Sequence, residues 1–434
     1  MTFIRNLLSA FNLGHASLVG SSALAQIFPL LSAPIIARLY APDDFGIYAM
    51  FFALSTILSY VSALALTHAT LLEAEDAGAA HATLLALAVT ALFCALLTIA
   101  VFGTPRAMLV AMFGEAVVPY LIWLPLSTLL SGVFTCLYQW TIRNGKFYLL
   151  ARNKLVLGVS TAGLQICVGL MHPGAIGFIL ANICGYGLAV LLLSNPFVED
   201  LRRLRPRFSL RSGVEQLKVH RELPLWQLPA SLVNVTCSYL PDLLIGRLFG
   251  ASQLGYFSLA SRMVNFPISF IATSAQDIFR KQANDELIMD GHCQKTFNRF
   301  FILMVIVAFT LIVPIILVAP YVFPVVFGSQ WQPSGHLVQA FGLLVIVRFV
   351  TSPLSYVWIM RGHQKLDFLW QAGLLVISLT TFLGPHYLKS DISLYEVLWL
   401  YSLGVGAWYA VCLFLSYRIA YRDSGGATRL ASVN

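Results

Sequence analysis

The feature that most constrains this chain is a recurring apolar run about as long as a bilayer is thick. A transmembrane helix needs roughly 20 mostly apolar residues to cross roughly 30 Å of hydrocarbon. Residues 82–102 and 300–327 are two of many stretches that meet this requirement. The criterion predicts twelve spans, near 15–38, 45–72, 82–103, 116–142, 149–170, 175–194, 223–247, 254–279, 300–327, 336–360, 367–386 and 394–417. Pro119 and Pro125 interrupt the start of the fourth. Charged residues make up only 11% of the chain, against about 25% in a soluble domain. So few charges cannot cover a water-facing surface, and lipid needs no such cover. The expected fold class is an all-α polytopic membrane protein.

Lysine and arginine orient the spans, because they are enriched in cytoplasmic connections. Of the 27 lysines and arginines, Arg262 and Arg348 lie inside spans and Arg38, Arg106, Arg247 and Lys389 fall on one side, leaving 21 on the other. Both termini and the long connections 195–222 and 280–299 belong to the basic side, which is expected to be cytoplasmic. The acidic gap 73–81 falls there too, but acidic residues carry little weight in this rule. The net charge of +8 therefore reflects topology, and no nucleic-acid partner is expected. Arg5 and the run Ala23-Leu24-Ala25 have the look of a cleaved leader. The apolar run continues to Arg38, however, so the first helix is expected to be an uncleaved anchor. The seven cysteines form no CxxC pair and read as small hydrophobes, not as a metal or disulfide framework.

An internal repeat sets the architecture. Arg38-Leu39-Tyr40 and Phe45-Gly46-Ile47-Tyr48 match Arg247-Leu248-Phe249 and Leu254-Gly255-Tyr256-Phe257, all at an offset of 209. Tyr138, Trp140 and Arg143 match Tyr356, Trp358 and Arg361 at an offset of 218. The second half thus repeats the first after six spans, an even number that preserves orientation. About twelve helices in two parallel six-helix bundles follow, 1–194 and 223–434, joined by a basic linker at 195–222. In such parallel repeats the substrate site is expected between the halves.

No GxxxxGK[ST], HExxH or GxSxG pattern is present, so neither a built-in ATPase nor hydrolytic chemistry is expected. No cofactor is expected either. Polar residues inside spans carry more signal. Gln227, Ser231, Asn234, Ser238 and Asp242 occupy one face of the seventh span. Ser258, Arg262, Asn265, Ser269, Thr273 and Gln276 occupy one face of the eighth. In lipid a polar stripe must face protein or water, and helix–helix hydrogen bonding alone would account for the serines. The charged member of each stripe points instead to a wet cavity. Arg262 and Arg348 both fall near mid-membrane, where a charge costs at least ~2.5 kcal/mol. Asp242 can neutralise one of them but not both. Prolines gather in the first span (Pro29, Pro34), the seventh (Pro224, Pro229, Pro241) and the ninth (Pro314, Pro320, Pro324); the first and seventh are repeat-equivalent, which points either to broken, moving helices or to static kinks. Tyr40, Tyr48, Trp331, Trp358, Tyr401 and Trp408 read as an interfacial aromatic belt.

The segment Arg38–Tyr48 behind a proline-bearing first span, the segment from Arg247 to Phe257, the following Ala260-Ser261-Arg262, and the turn Arg143-Asn144-Gly145-Lys146 resemble the Wzx-type polysaccharide and O-antigen flippases of the multidrug/oligosaccharidyl-lipid/polysaccharide exporter superfamily. That resemblance implies alternating access in the bacterial inner membrane. It implies an undecaprenyl-pyrophosphate-linked oligosaccharide as substrate, with membrane lipids, a polysaccharide polymerase and chain-length proteins as partners. On this reading Arg262, Arg348, Asn265, Asn234 and Asp242 line the substrate site, and Arg262 meets the pyrophosphate. Arg38 and Arg247 are candidates for a periplasmic gate or for plain interfacial anchoring. A cation-coupled multidrug exporter, or an exporter of another lipid-linked precursor, is the nearest alternative, although such drug exporters usually carry acidic cavities. A polymerase or ligase would need a long periplasmic catalytic loop, and a purely structural membrane protein has no use for polar stripes.

Overall fold

The computed structural model describes residues 28–204, 216–388 and 392–421. Residues 15–27 of the first span, Arg205, Arg207 and Arg211 of the linker, Lys389 and the tail beyond Tyr421 lie outside the described residues. The described chain is helical, with α1 Phe28–Leu39, α2 Pro42–Ser62, α3 Asp76–Gly103, α4 Leu124–Arg143, α5 Phe147–Met171, α6 Ala175–Leu204, α7 Leu228–Leu248, α8 Ala251–Asp290, α9 Gln294–Phe327, α10 Gln332–Leu354, α11 Gln364–Tyr387 and α12 Leu394–Tyr421. Ten of the helical segments are long and apolar enough to cross a membrane. The remaining two are α1, described only from Phe28, and α8, whose 40 residues carry the polar stripe and a charged extension beyond it. Packing divides the chain into two units, one ending at Gly255 and the other beginning at Tyr256. Helix α7 packs on α2 in the first unit.

Local chemistry explains the helix ends. Pro42 starts α2, where its missing N–H costs nothing, and the Asp44 carboxylate accepts from the Ala41 N–H at 3.1 Å. Ser393 and Glu396 form a reciprocal capping box at the start of α12. Lipid supplies no hydrophobic drive between helices, so small residues must do the packing. Ala79, Ala80, Ala82 and Ala86 of α3 are fully or almost fully buried. A Cβ on Gly132 of α4 would come within 2.7 Å of Thr90 on α3. The prolines do not break the helices as expected. Leu223–Gln227 ahead of α7, and Ala308–Ile312 within α9, wind as π turns beside Pro224 and Pro314. Such a turn absorbs a residue that cannot donate a hydrogen bond while keeping the helix continuous.

The repeat is visible as contacts. The start of α8 crosses the start of α2 at their two glycines. A Cβ on Gly46 would lie 1.8 Å from the Ala251 carbonyl oxygen, and one on Gly255 would lie 1.8 Å from that of Pro42. Gly46 and Gly255, and Pro42 and Ala251, are each related by the offset of 209, so the crossing is reciprocal. Ser252 donates to the Asp43 carboxylate across it at 2.6 Å, again between equivalent positions.

The second offset is equally structural. Arg143 at the end of α4 donates to the carbonyls of Thr70, Glu73 and Ala74 and pairs with Asp76 at 3.1 Å. Arg361 donates to the carbonyl of Gly291 at 3.0 Å, and Gly291 is the equivalent of Glu73 at the offset of 218. Each arginine ties the end of one helix to the turn between two others. The acidic gap 73–81 is explained at the same place, because His220 contacts Glu73 at 2.8 Å while Arg143 holds Asp76. Lys146 pairs with Asp200 nearby at 2.7 Å. In the second unit Glu286 accepts from the backbone N–H groups of Lys295 and Thr296, at 2.9 and 2.8 Å, and so caps α9. Burial by itself would raise the Glu286 carboxyl. The hydrogen bonds from Thr296 and Lys295, with His292 close by, outweigh that and hold it below the usual carboxylate range.

Candidate functional site

Each sequence-nominated residue has a definite place. In the second unit Arg262 is exposed on α8, roughly 16 Å along the helix from Ala251 at ~1.5 Å per residue. Asn265 stands one turn on and donates to the Ser261 hydroxyl at 2.9 Å. Ser269 and Thr273 continue the exposed line. Arg348 is exposed near the middle of the segment Ser329–Met360, with no hydrogen bond or ion pair among the described residues. In the first unit Asn234 is exposed on α7, and Asp242 is half-buried two turns further along. Arg38 is exposed at the end of α1. Arg247 donates from Nε to the Ala111 carbonyl at 3.0 Å, beside a cavity of about 240 Å³ that also touches Gly46, Gly114 and Leu254.

A larger cavity, about 430 Å³, opens in the first unit where α2, α4, α6 and α7 meet. Of its lining, the polar stripes read from the sequence included only Ser231 of α7. The signal was available in α4, where Ser127, Ser131, Thr135 and Gln139 recur every fourth residue; the last three line the cavity. Two ring pairs flank it, Phe52 with Tyr239 at 6.2 Å and Phe134 with Tyr186 at 5.5 Å between centroids, both edge-on. The Ser55 hydroxyl on its wall meets that of Ser127 at 2.8 Å, and Asn182 donates to the Tyr48 hydroxyl at 3.2 Å. The buried amide oxygen of Gln139 has no hydrogen-bond partner among the described residues. Ala63, Ala65, Thr67 and His68 also line it. There the chain leaves α2 through two consecutive left-handed residues, Leu64 (φ 49°) and Ala65 (φ 58°). Neither is glycine. Each costs about 1–3 kcal/mol and persists only where its surroundings enforce it.

These features fit a known family. The sequence pattern of a family described as polysaccharide biosynthesis protein matches residues 35–336. The chain belongs to that family. Among its relatives is the succinoglycan biosynthesis transport protein ExoT of Rhizobium meliloti, 23% identical over 88% of this chain and 76% of that protein. Another is the teichuronic acid biosynthesis protein TuaB of Bacillus subtilis, 26% identical over 48% of this chain. That match spans only 40% of TuaB. Of solved structures, the lipid II flippase MurJ in an inward closed conformation superposes with a TM-score of 0.73, at 12% identity over 92% of this chain and 87% of that one. An inward-facing multidrug resistance MATE transporter of the MOP superfamily superposes at 0.63, with 16% identity over 93% and 94%. At such identities the likeness is one of fold. This family member has the all-α, multi-pass membrane architecture of those transporters, with about twelve helices in two bundles.

Proposed function

We propose that this protein flips an undecaprenyl-pyrophosphate-linked oligosaccharide, an O-antigen or exopolysaccharide repeat unit, across the bacterial inner membrane. No bond is made or broken. The bundles 1–194 and 223–434, joined by the 195–222 linker and with both termini cytoplasmic, open the site alternately to each side. The observation that carries this reading is the pair of exposed mid-helix arginines, Arg262 and Arg348, in a polysaccharide-biosynthesis transporter. A guanidinium is always charged and offers paired donors to phosphate oxygens. An arginine at that depth is costly unless water or a partner receives it. Arg262 contacts the pyrophosphate, Arg348 adds positive charge, and Asn265, Asn234 and Asp242 supply polar contacts along the route. Arg38 and Arg247 border the periplasmic gate.

The test is deletion of the gene with complementation by variants. Deletion should abolish surface glycan while the lipid-linked unit still forms on the cytoplasmic side. Arg262→Ala and Arg348→Ala, at normal expression, should fail to restore glycan, and Arg262→Lys should restore part. Normal appearance of the unit in the periplasm of the deletion strain would refute the proposal.

A further inference from the structure

We propose that the cavity of the first unit is a subsite for an uncharged sugar residue of the transported glycan. The proposal deepens the flippase reading and rests on it. Among the described residues the cavity lining contains no lysine, arginine, aspartate or glutamate, and His68 is its one titratable basic group. A phosphate or a uronic acid placed there would lose water and gain no counter-charge. A neutral sugar has the opposite needs. Its hydroxyls donate and accept, as do the hydroxyls of Ser55, Ser131 and Thr135 and the amides of Gln139 and Asn182. Its ring also presents apolar C–H faces, which aromatic walls accommodate. Phe52, Phe134, Tyr186 and Tyr239 supply such walls on opposite elements, held edge-on to one another.

Two further observations favour a ligand over a packing defect. The amide oxygen of Gln139 is buried in the wall with no partner among the described residues. An orphaned acceptor is costly to leave unmade, and a sugar hydroxyl can donate to it. Ala65, the second of two consecutive left-handed residues, lies in the same wall, and strain of that kind gathers at ligand sites. The volume of about 430 Å³ lies within the range of roughly 300–1,000 Å³ typical of small-molecule sites.

The experiment measures binding to the full-length protein in lipid nanodiscs. The two probes are undecaprenyl pyrophosphate carrying the source organism's own repeat unit and undecaprenyl pyrophosphate alone. The wild type should prefer the sugar-bearing lipid by about tenfold, the worth of one or two hydrogen bonds. Gln139→Leu should erase most of that preference. Tyr60→Phe, at an exposed position on the cavity rim, should reduce it. Both variants should hold the sugar-free lipid as tightly as wild type, which also reports correct folding. An unchanged preference in both variants would overturn the subsite and leave the flippase reading standing. So would a wild type that prefers neither lipid, or a Tyr60→Phe variant that loses both alike. If the wild type binds neither lipid, the flippase reading falls and the subsite with it.

Discussion

Helices α2 and α8 are counterparts at an offset of 209, yet their interiors differ. Arg262, Asn265 and Ser269 of α8 stand where α2 has Ala53, Thr56 and Tyr60. Thr56 and Tyr60 line the neutral cavity, and Ala53 is fully buried. The next pair diverges in the other direction. Ser131, Thr135 and Gln139 of α4 line the cavity, while their equivalents at an offset of 218, Phe349, Pro353 and Val357, are buried in the second unit. One half of the repeat therefore keeps uncharged polar residues around a cavity. The other fills that position with apolar side chains and carries its polarity as arginines. What both halves retain is the frame, namely the crossing glycines and the arginines that tie helix ends to turns. The contrast teaches that the frame is constrained by packing, while mid-membrane positions were free to diverge in polarity and charge.

The contrast can be broken at the frame first. Gly46→Val and Gly255→Val should each cost about 3 kcal/mol or abolish folded protein, because the new Cβ meets backbone that cannot yield. Thermal unfolding of the purified variants reads this, and a difference of several-fold between the two would contradict the reciprocal crossing. Next in size, Arg143→Ala should cost about 2 kcal/mol, since it strands several carbonyls and Asp76, and Arg361→Ala should cost somewhat less. Equal stability of wild type and Arg143→Ala would remove that tie from the frame. The smallest effect belongs to Glu286, which caps α9 in the second unit only. Glu286→Gln should lower stability by about 1 kcal/mol near neutral pH. Its folded carboxyl is depressed, so its contribution is complete above the ordinary carboxylate range. That contribution is lost as pH falls through the folded value, and the wild-type and variant curves should merge in acid. A gap that widens in acid would show that the carboxylate is not the stabilising form.

Local signals carried the fold, and non-local ones did not. Apolar run lengths gave the spans, and two short matches gave a repeat whose glycines and arginines prove to be contact points. The acidic gap at Glu73 and Asp76 looked out of place in sequence because its partners, Arg143 and His220, are far along the chain. Prolines suggested breaks, but periodicity alone cannot register a π turn that restores the helix. The cavity drew on four helices at once; the α7 stripe supplied Ser231 beforehand, and the α4 stripe was equally readable but was not singled out. Arg262 and Arg348 were legible because a charge in an apolar run is conspicuous whatever the packing.

The central claim, arginine-dependent flipping of a lipid-linked glycan, is tested most directly in liposomes. Purified protein is reconstituted with the undecaprenyl-pyrophosphate-linked repeat unit inside, and arrival outside is read with a membrane-impermeant glycosidase. Wild type should expose the glycan well above protein-free liposomes, Arg262→Ala should fall to that background, and Arg262→Lys should lie between. Wild-type exposure no greater than background, or full exposure by Arg262→Ala, would contradict the account.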